Sequence, residues 1–327
     1  MSRWVIAIVW CLHAVAATDV VGWVVGNNVS DLDNLNWNVY TTVRGSFIHV
    51  DDQGNTTCPT SSFSQYLHGL AVKHNKTVTF GVTGATYNCM YPNINATTKA
   101  FCGTFFNSIG PTVRSCGSHI QGLSFDYEGH PLEKTAFSVF LDTLQKAIGD
   151  PYTVGACVGA FGFDGLNHGA SYPLGVLPWV DADIFRQNPN LFVNIMGYHA
   201  PMSCSIDPWI KDAIVATDIW GLRKEQVNLG IGYFTTVLEG HDPFHILSEH
   251  TWNFYSKQCP NVPYDTCICQ GVPFVSKKMN EDIGLFVKVN GFRGVFPWAA
   301  NYDAFDHNNT MVDYIGMGVR IVENEYI

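Results

Sequence analysis

A serine and two acidic residues recur at every second position near the middle of the chain. Ser124, Asp126 and Glu128 lie in the segment QGLSFDYEG. In a strand, alternate side chains share a face, so these three would point one way and the residues between them the other. Two carboxyl groups held this close repel each other, and burial disfavours their ionised forms, so the pKa of one rises. This is how a carboxyl group becomes a proton donor near neutral pH. The same pattern also suits a pair that binds backbone or an arginine at a sheet rim.

Eight short apolar segments read as parallel strands buried on both faces. They are Val20–Val25, Val39–Arg44, Val78–Val82, Gly122–Asp126, Thr153–Val158, Phe192–Gly197, Val227–Gly232 and Gly294–Trp298. Stretches with helical spacing lie between several of them: Phe63–His74, Glu133–Ile148, Ile210–Trp220, His250–Cys259 and Val275–Val289. Strands alternating with helices predict βαβ units and a parallel sheet, and eight repeats favour an α/β fold with a single closed (β/α)8 TIM barrel. Active sites of such barrels lie at the carboxyl ends of the strands.

The fourth predicted strand and three later ones resemble a known enzyme family. Gly122-Leu-Ser-Phe-Asp-Tyr-Glu128 resembles the D-G-x-D-x-D-x-E signature of glycoside hydrolase family 18, the chitinases and their relatives. In order along the chain, Val193–Tyr198 resembles the family's Met-x-Tyr strand and Leu229–Tyr233 its Gly-rich strand. Gly294–Trp298 resembles the last strand, which carries a sugar-stacking Trp. The short interval between the last two segments excludes the inserted domain of large chitinases, and the chain is closest in size to the di-N-acetylchitobiase-like members.

The resemblance implies a retaining, substrate-assisted hydrolysis, an exception to the usual scheme of two catalytic carboxylates. Glu128 would be the general acid and then the general base. The 2-acetamido carbonyl of the sugar would attack the anomeric carbon, with Asp126 orienting the acetamido group and Tyr198 hydrogen-bonding its carbonyl. Trp298 would form the floor beneath the sugar. No metal and no organic cofactor is expected.

Other residues have weaker assignments. Ser124, Met196 and Tyr233 are predicted to contact the substrate or line its pocket, and Trp23 is interpreted as a core residue. His199 follows the predicted Tyr198, and its protonation is a candidate for tuning the response to pH around 6. The histidines show no metal-ligand spacing with nearby acids.

Two departures from the family pattern bear on activity. Gln121 and Ser124 occupy the positions of the first and second Asp of the signature, and His199 stands where Asp or Asn is common. In the family the middle Asp shares a proton with the third, whereas Ser124 only hydrogen-bonds. These changes are expected to slow turnover, shift the pH optimum or mark a binding protein, but they leave the acid in place.

Three functions remain open at this point. The leading one is cleavage of β-1,4-linked N-acetylglucosamine in chitin oligosaccharides or in the chitobiose core of glycans. The alternatives are an endo-β-N-acetylglucosaminidase acting on N-glycans and a chitinase-like lectin with weak turnover. Lectin-type members usually lose the acid itself, so the presence of Glu128 favours an enzyme.

The first 17 residues are predicted to be a signal peptide. Met1–Arg3 is positively charged, Trp4–Leu12 is apolar, and Ala14–Ala17 offers small residues for cleavage. As a membrane anchor the apolar run is too short to cross about 30 Å of hydrocarbon. Residues 18–327 would then form one catalytic domain, expected to be a monomer. With 18 basic and 28 acidic residues, a formal net charge of −10 argues against nucleic acid or an anionic membrane as partner. The expected partner is an oligosaccharide containing N-acetylglucosamine.

Cysteines and glycosylation motifs agree with export to the extracellular space or the lysosomal lumen. Two clusters of cysteines suggest disulfides, although spacing does not give their pairing. They are Cys58, Cys89, Cys102 and Cys116, and then Cys259, Cys267 and Cys269. With Cys157 and Cys204 the mature chain has an odd total of nine, and Cys157 is predicted to be the buried free thiol. Five Asn-x-Ser/Thr motifs begin at Asn28, Asn55, Asn75, Asn95 and Asn308.

Overall fold

The computed structural model describes residues 18–26, 28–82, 84–91, 93–126, 133–159, 178–199, 204–234, 251–306 and 310–324. Within these ranges eight parallel strands close into a barrel, each paired with its neighbours in the chain and the first with the last. The strands are β1 (Asp19–Trp23), β2 (Thr42–Phe47), β3 (Thr77–Val82), β4 (Ile120–Asp126), β5 (Thr153–Gly159), β6 (Leu191–Met196), β7 (Val227–Gly232) and β8 (Gly294–Trp298). The predicted (β/α)8 barrel is confirmed.

The second strand begins later than predicted. It starts at Thr42, because Val39 and Tyr40, which made the prediction begin at Val39, are buried before the strand starts. The Tyr40 ring occupies the space left by Gly22 of β1, where a Cβ atom would lie only 2.9 Å from the ring. Apolar character alone does not separate a buried strand from the buried segment that leads into it.

Helices cover the outside of the barrel. The described α-helices are α1 (Val29–Asp33), α2 (Ser62–Lys73), α3 (Ala96–Ser115), α4 (Lys134–Ile148), α5 (Ala182–Gln187), α6 (Asp207–Ile214), α7 (Trp252–Gln258), α8 (Lys277–Asn290) and α9 (Met311–Asn324). All five predicted helices are present as α2, α4, α6, α7 and α8, and α6 continues into a turn of π-helix over Val215–Ile219. None of the helices in the described ranges is long and apolar enough to cross a bilayer.

Two long helices, α3 and α9, were not predicted from the sequence pattern. An internal Pro111 interrupts the helical pattern of α3. α9 packs against α8 through glycines that allow close approach of the two backbones. A Cβ atom at Gly318 would lie 2.1 Å from the Glu281 carbonyl oxygen, and one at Gly284 would lie 2.6 Å from that of Ile315. Glycine has a low intrinsic helix propensity. The glycines that allow α8 and α9 to pack closely therefore make α9 harder to recognise in the sequence.

Buried apolar side chains form two separate groups. The larger lies between the strands and the helices, and includes the rings of Phe125 and Phe140, whose centroids are 5.0 Å apart. The smaller consists of Val21, Trp23, Cys157, Met196 and Phe296, with Tyr198 and Trp298 packed against it. These residues come from β1, β5, β6 and β8 and meet across the interior of the barrel. The predicted site therefore rests on a packed floor rather than on a pore.

Four disulfides join the described cysteines: Cys58–Cys116, Cys89–Cys102, Cys204–Cys267 and Cys259–Cys269. Cys157 is free and buried, as predicted. The first two bridges tie the segments after β2 and β3 to α3, and so fix the loops at the carboxyl ends of these strands. Disulfides on this scale are typical of proteins that fold in an oxidising compartment.

Candidate active site

Strand β4 has the alternation that the sequence predicts. The Ser124 hydroxyl lies inside the barrel, where it accepts a hydrogen bond from Arg44 Nη1 at 3.2 Å and lies 3.9 Å from Cys157 Sγ. Phe125 points the other way and packs its ring against Phe140 of α4. Asp126 therefore continues the inward face of the strand at its carboxyl end, where an active site is expected.

The Asp126 carboxyl group has a buried oxygen that accepts no hydrogen bond from the described residues. Burial raises the pKa of its carboxyl group above the ordinary value, since desolvation disfavours the charged form. Its Oδ1 is buried and has no hydrogen-bond partner among the residues that the structure describes. The Tyr87 hydroxyl donates to the main-chain oxygen of Asp126 and so holds the end of the strand. Leaving a buried acceptor unpaired costs about 1–3 kcal/mol, which a ligand's donor would recover. The predicted acid, Glu128, lies outside the described residues.

Aromatic rings surround the same end of the barrel. Trp298 ends β8 and Tyr198 follows β6, and their ring centroids are 6.3 Å apart. Trp23 lies 5.3 Å from Trp298, and Phe234 lies 5.5 Å from Tyr198. Met196 packs into the same group. The structure thus brings together Met196, Tyr198 and Trp298, which are predicted site residues from two distant segments of the chain.

Trp23 and Tyr233 are both buried. Trp23 is buried, as a core residue would be, but it also lines a cavity together with Trp298. Tyr233 was predicted to line the substrate pocket. Its hydroxyl lies 3.3 Å from Asn280 Oδ1 of α8, and its buried side chain lines a small pocket with Phe234 and Trp252. Tyr233 follows the last residue of β7, and the Gly-rich pattern that selected it does not specify which face a side chain takes.

His199 is held by an aspartate that the sequence analysis did not find. Its Nε2 lies 2.7 Å from Asp212 Oδ2 on α6, and its ring packs edge-on against Trp209. Asp212 is buried, so this contact anchors the segment that carries Tyr198. Across the ranges described above, no three His, Cys, Asp or Glu side chains are grouped as they would be to hold a metal ion.

Arg44 is a second residue that was missed. Its guanidinium is buried in the barrel, 5.1 Å from the centre of the Trp23 ring and 5.6 Å from that of Phe192. Burial lowers the pKa of Arg44 to about 10, so the group stays protonated at neutral pH. A single cation in a strand with no other charged residue was the available signal. Its charge faces Ser124, the position where the resemblance leads one to expect an Asp.

A cavity of about 500 Å³ opens beside Trp298. It passes over the carboxyl ends of β1, β2 and β3 and reaches the first turn of α2. Trp23, Ser46, Phe47 and Ser61 are among its lining residues. Its size lies within the range of small-molecule sites, roughly 300–1,000 Å³.

Several solved structures that share this fold are chitinases. A chitinase from Bacteroides thetaiotaomicron has a TM-score of 0.72 and 15% identity, with 95% of this chain and 99% of that chain covered. For the GH18 chitinase from the chitin utilization locus of Flavobacterium johnsoniae the TM-score is 0.63 and the identity 14%, covering 93% of this chain and 94% of that one. A mutant of the Group II chitinase catalytic domain 2 of Ostrinia furnacalis, solved in complex with (NAG)5, also has a TM-score of 0.63 and 14% identity, covering 93% and 97%.

The similarity to these proteins lies in the fold. No protein-family model and no curated protein sequence shows significant similarity to this chain. The chain nevertheless spans nearly the full length of each chitinase named above, so the fold is shared over the whole barrel.

Proposed function

We propose that this chain is a retaining glycosidase that hydrolyses β-1,4-linked N-acetylglucosamine in chitin oligosaccharides or in the chitobiose core of glycans. The observation that carries the proposal is the unpartnered, buried Oδ1 of Asp126 at the barrel end that also holds Tyr198 and Trp298. The N–H of an acetamido group is a neutral donor that satisfies such an acceptor without introducing another charge. The shared fold with chitinases supports the same substrate class.

Binding is assigned to three described side chains. The face of Trp298 stacks on the C–H surface of the sugar, and the Tyr198 hydroxyl donates to the acetamido carbonyl oxygen. The Asp126 carboxylate accepts from the acetamido N–H. Held at both ends, the acetamido group is aligned with the anomeric carbon of its own sugar, which turns the attack into an intramolecular step.

The reaction then proceeds in two displacements. Glu128 donates a proton to the glycosidic oxygen, the bond from that oxygen to C1 breaks, and the acetamido oxygen bonds to C1. The resulting oxazolinium is positively charged, and the Asp126 carboxylate stabilises it. Glu128, now ionised, takes a proton from water, which attacks C1 and opens the ring with net retention. General acid–base catalysis of this kind contributes roughly 10²–10⁴ in rate.

Product analysis tests the proposed function. The purified chain is incubated with chitobiose, chitotetraose and a high-mannose glycopeptide, and products are identified by mass spectrometry and by proton NMR of the first-formed anomer. We expect cleavage between N-acetylglucosamine units and initial release of the β-anomer. Release of the intact glycan would favour the endo-β-N-acetylglucosaminidase alternative, and binding without cleavage would favour a lectin. Initial formation of the α-anomer would contradict retention.

An inhibitor tests the substrate-assisted step separately. A thiazoline analogue of N-acetylglucosamine mimics the oxazolinium, and a site complementary to that species binds it more tightly than substrate. We expect competitive inhibition at concentrations well below KM. If the enzyme is active but indifferent to this compound, a protein nucleophile acts in place of the acetamido group.

We further propose that the chain is exported and glycosylated. The four described Asn residues of the glycosylation motifs are exposed: Asn28, Asn55, Asn75 and Asn95. The fifth, Asn308, and the predicted signal peptide lie outside the described residues. N-terminal sequencing of the secreted protein should begin near residue 17 or 18, and peptide:N-glycosidase treatment should lower its mass. An intracellular product that retains residues 1–17 would refute export.

A further inference from the structure

The barrel closes where its first strand meets its last, and both of these strands end in a tryptophan. Trp23 ends β1 and Trp298 ends β8, with their ring centroids 5.3 Å apart. Within the described ranges the parallel pairing of these two strands goes no further than Val20 and Val295. On its other edge β8 is paired with β7 as far as Trp298 and Gly232. The two tryptophans therefore lie beyond the paired part of the β1–β8 boundary.

Asn301 joins the two strands beyond this paired part. Its Oδ1 accepts a hydrogen bond from the Val25 backbone N–H at 3.1 Å, and its Nδ2 donates to the Val25 carbonyl oxygen at 2.9 Å. A side-chain amide thus takes the place of a strand partner just after Trp23. Nδ2 also lies 3.4 Å from Asp31 Oδ2 of α1. Because Asn301 and Val25 are 276 positions apart, this contact ties the ends of the first and last strands together.

The segment that carries Asn301 is itself anchored. A turn of 3-10 helix over Ala300–Tyr302 follows Trp298, and Asp303 ends it. The Asp303 carboxylate is buried and accepts a hydrogen bond from the Met311 backbone N–H at 2.8 Å, at the first residue of α9. The Asn301 amide is therefore presented to β1 by a fixed turn and not by a free loop.

The end of β1 depends on Asn301 along one of its two edges. On the edge that faces β2, Trp23 is in register with Arg44, and the Val24 N–H donates to the Arg44 carbonyl oxygen at 2.6 Å. On the edge that faces β8, the Asn301 amide satisfies both backbone groups of Val25. Without that amide, the end of β1 would be supported by β2 alone.

This support bears on the surface that stacks on the sugar. Trp23 packs beside Trp298, and Val25 lines the same cavity as both rings. A ring that is held in its binding orientation before the sugar arrives loses less conformational entropy on binding. Asp126 and Tyr198, which align the acetamido group, lie on β4 and after β6. Loosening the β1–β8 boundary should therefore weaken sugar binding more than it slows the chemical step.

We propose that Asn301 is a positioning residue of the active site, which closes the β1–β8 boundary and so holds Trp298 in the orientation that stacks on the sugar. Its amide acts through the backbone of Val25 and the neighbouring Trp23 ring. The inference rests on the proposed hydrolysis and deepens it, because it identifies a residue that sets the affinity for substrate from outside the group of residues that perform the reaction.

Steady-state kinetics on chitotetraose test this role. In Asn301→Ala the KM should rise about tenfold while kcat stays within about threefold of wild type, because binding lost equally from the ground and transition states raises KM alone. Asn188→Ala is the matched control. Its side chain also makes three hydrogen bonds, with Asp142, Gln145 and Asn190, but just before the amino end of β6. This control should lower the thermal midpoint as Asn301→Ala does and leave KM unchanged.

A second variant carries the test if Asn301→Ala does not fold. Asn301→Asp keeps the shape of the side chain and the acceptor for the Val25 N–H, but an oxygen replaces the Nδ2 donor and faces the Val25 carbonyl oxygen. Its KM should rise by at least about threefold, the effect of one neutral hydrogen bond. A lowered thermal midpoint with an unchanged KM, in either variant, would overturn the positioning role.

An optical measurement separates this inference from the proposed function. Near-ultraviolet circular dichroism reports the fixed packing of aromatic rings. Asn301→Ala should weaken the part of this signal that Trp23→Phe removes, and Asn188→Ala should keep it. An unchanged signal in Asn301→Ala would show that the two rings hold their positions without the amide, which contradicts the inference. Failure of wild type to cleave chitotetraose would instead refute the proposed function, and the optical result would still decide whether Asn301 holds Trp298.

Discussion

Arg44 Nη1 donates a hydrogen bond to Ser124 Oγ across the barrel interior, at 3.2 Å. The two residues lie on β2 and β4, with β3 between them. A buried cation thus faces the serine that stands where the glycoside hydrolase family 18 signature, which this segment resembles, has an acidic residue. At neutral pH the other charged groups that act on Arg44 are Asp19, which favours its cation, and Arg293, which opposes it.

Substitutions at Arg44 distinguish what its packing and its charge each contribute to the free energy of unfolding. Arg44 Nε has no hydrogen-bond partner among the described residues, so the cation is incompletely satisfied. Arg44→Met keeps most of the volume, and its unfolding free energy should stay within about 1 kcal/mol of wild type, since burying an apolar group in place of a charge is often neutral. Arg44→Ala should lose about 3–5 kcal/mol, because it leaves a cavity. Urea denaturation measures both.

If Arg44→Met were as unstable as Arg44→Ala, the charge itself would hold the barrel together. Arg293→Met is the matched control. Arg293 also lies over the Phe192 ring, at 4.0 Å, but it pairs with Asp19 at 3.2 Å and does not contact Ser124. Its loss breaks a mostly buried ion pair and should therefore destabilise more than Arg44→Met.

Glu128→Gln should abolish hydrolysis and retain sugar binding. The substitution keeps the shape of the side chain and removes its transferable proton. We expect kcat on chitotetraose to fall at least about 100-fold, within the usual contribution of a general acid, with the Kd for the oligosaccharide changed less than about threefold. Steady-state kinetics and isothermal titration calorimetry measure the two quantities. A variant that kept more than a few per cent of the wild-type rate would show that another group is the acid.

The barrel was predictable from sequence because its strands are buried on both faces. Continuous apolar segments such as Thr153–Val158 and Val227–Gly232 can be recognised as strands without knowing which strands they pair with. The observed β5 and β7 coincide with these two segments to within a residue. Val39 and Tyr40 are buried but lie before the paired strand, so the predicted start of β2 was three residues too early. The helix α3 was lost because Pro111 lies within it and its register is set by packing on the barrel.

The site was predictable only in part, since a motif identifies residue types but not the contacts between strands. Asp126 and Ser124 followed from alternation, and Tyr198 and Trp298 from the resemblance. Arg44 contacts Ser124 through the barrel interior, and no local pattern relates the two. The orientation of Tyr233 likewise depends on how the chain leaves β7, and its neighbour Asn280 lies 47 positions away along the chain.

A pair of histidines should make the fold sensitive to acid. The rings of His68 and His119 are 5.2 Å apart, and burial together with the proximity of His119 lowers the pKa of His68 to about 4. The unfolded state therefore binds a proton more readily than the folded state, so stability falls as pH drops from about 6.5 towards 4. We expect this residue to contribute about 1 kcal/mol of that loss, allowing for screening of its partly exposed ring.

His68→Phe should reduce the loss, because the variant has no proton to bind at this position. Urea denaturation at pH 7 and at pH 4.5 gives the difference for wild type and variant. His74→Phe is the control, because His74 also has an aromatic neighbour, Trp37, at 5.2 Å but is not paired with a second histidine. An equal acid sensitivity in wild type and His68→Phe would place the titrating group elsewhere.

Ser124→Asp should move the acid limb of the pH–rate profile upward. In the mechanism we propose, Asp126 must be ionised to stabilise the oxazolinium, so activity should fall as pH drops through its pKa, which burial already raises. At position 124 a carboxylate would lie within hydrogen-bonding reach of Arg44 Nη1 and ionise readily. Its negative charge on the same face of β4 would disfavour ionisation of Asp126 and raise that pKa further. The expected shift is about 0.5–1 pH unit in kcat/KM, an apparent value of a coupled pair.

Ser124→Ala is the control for this shift, because it removes the same hydroxyl without adding charge. Its acid limb should stay within about 0.3 pH units of wild type, since no new carboxylate acts on Asp126. The profiles are measured from pH 3 to 8 on chitotetraose, with circular dichroism at each pH to exclude unfolding. The acid limb could also be the same in Ser124→Asp and Ser124→Ala. In that case a charge at position 124 would not affect the group whose pKa sets the acid limb, and that group would not be Asp126. A shift found only in Ser124→Asp would instead show that the acid limb is set by a group near position 124. Asp126, two residues away on the same inward face of β4, is the group we expect.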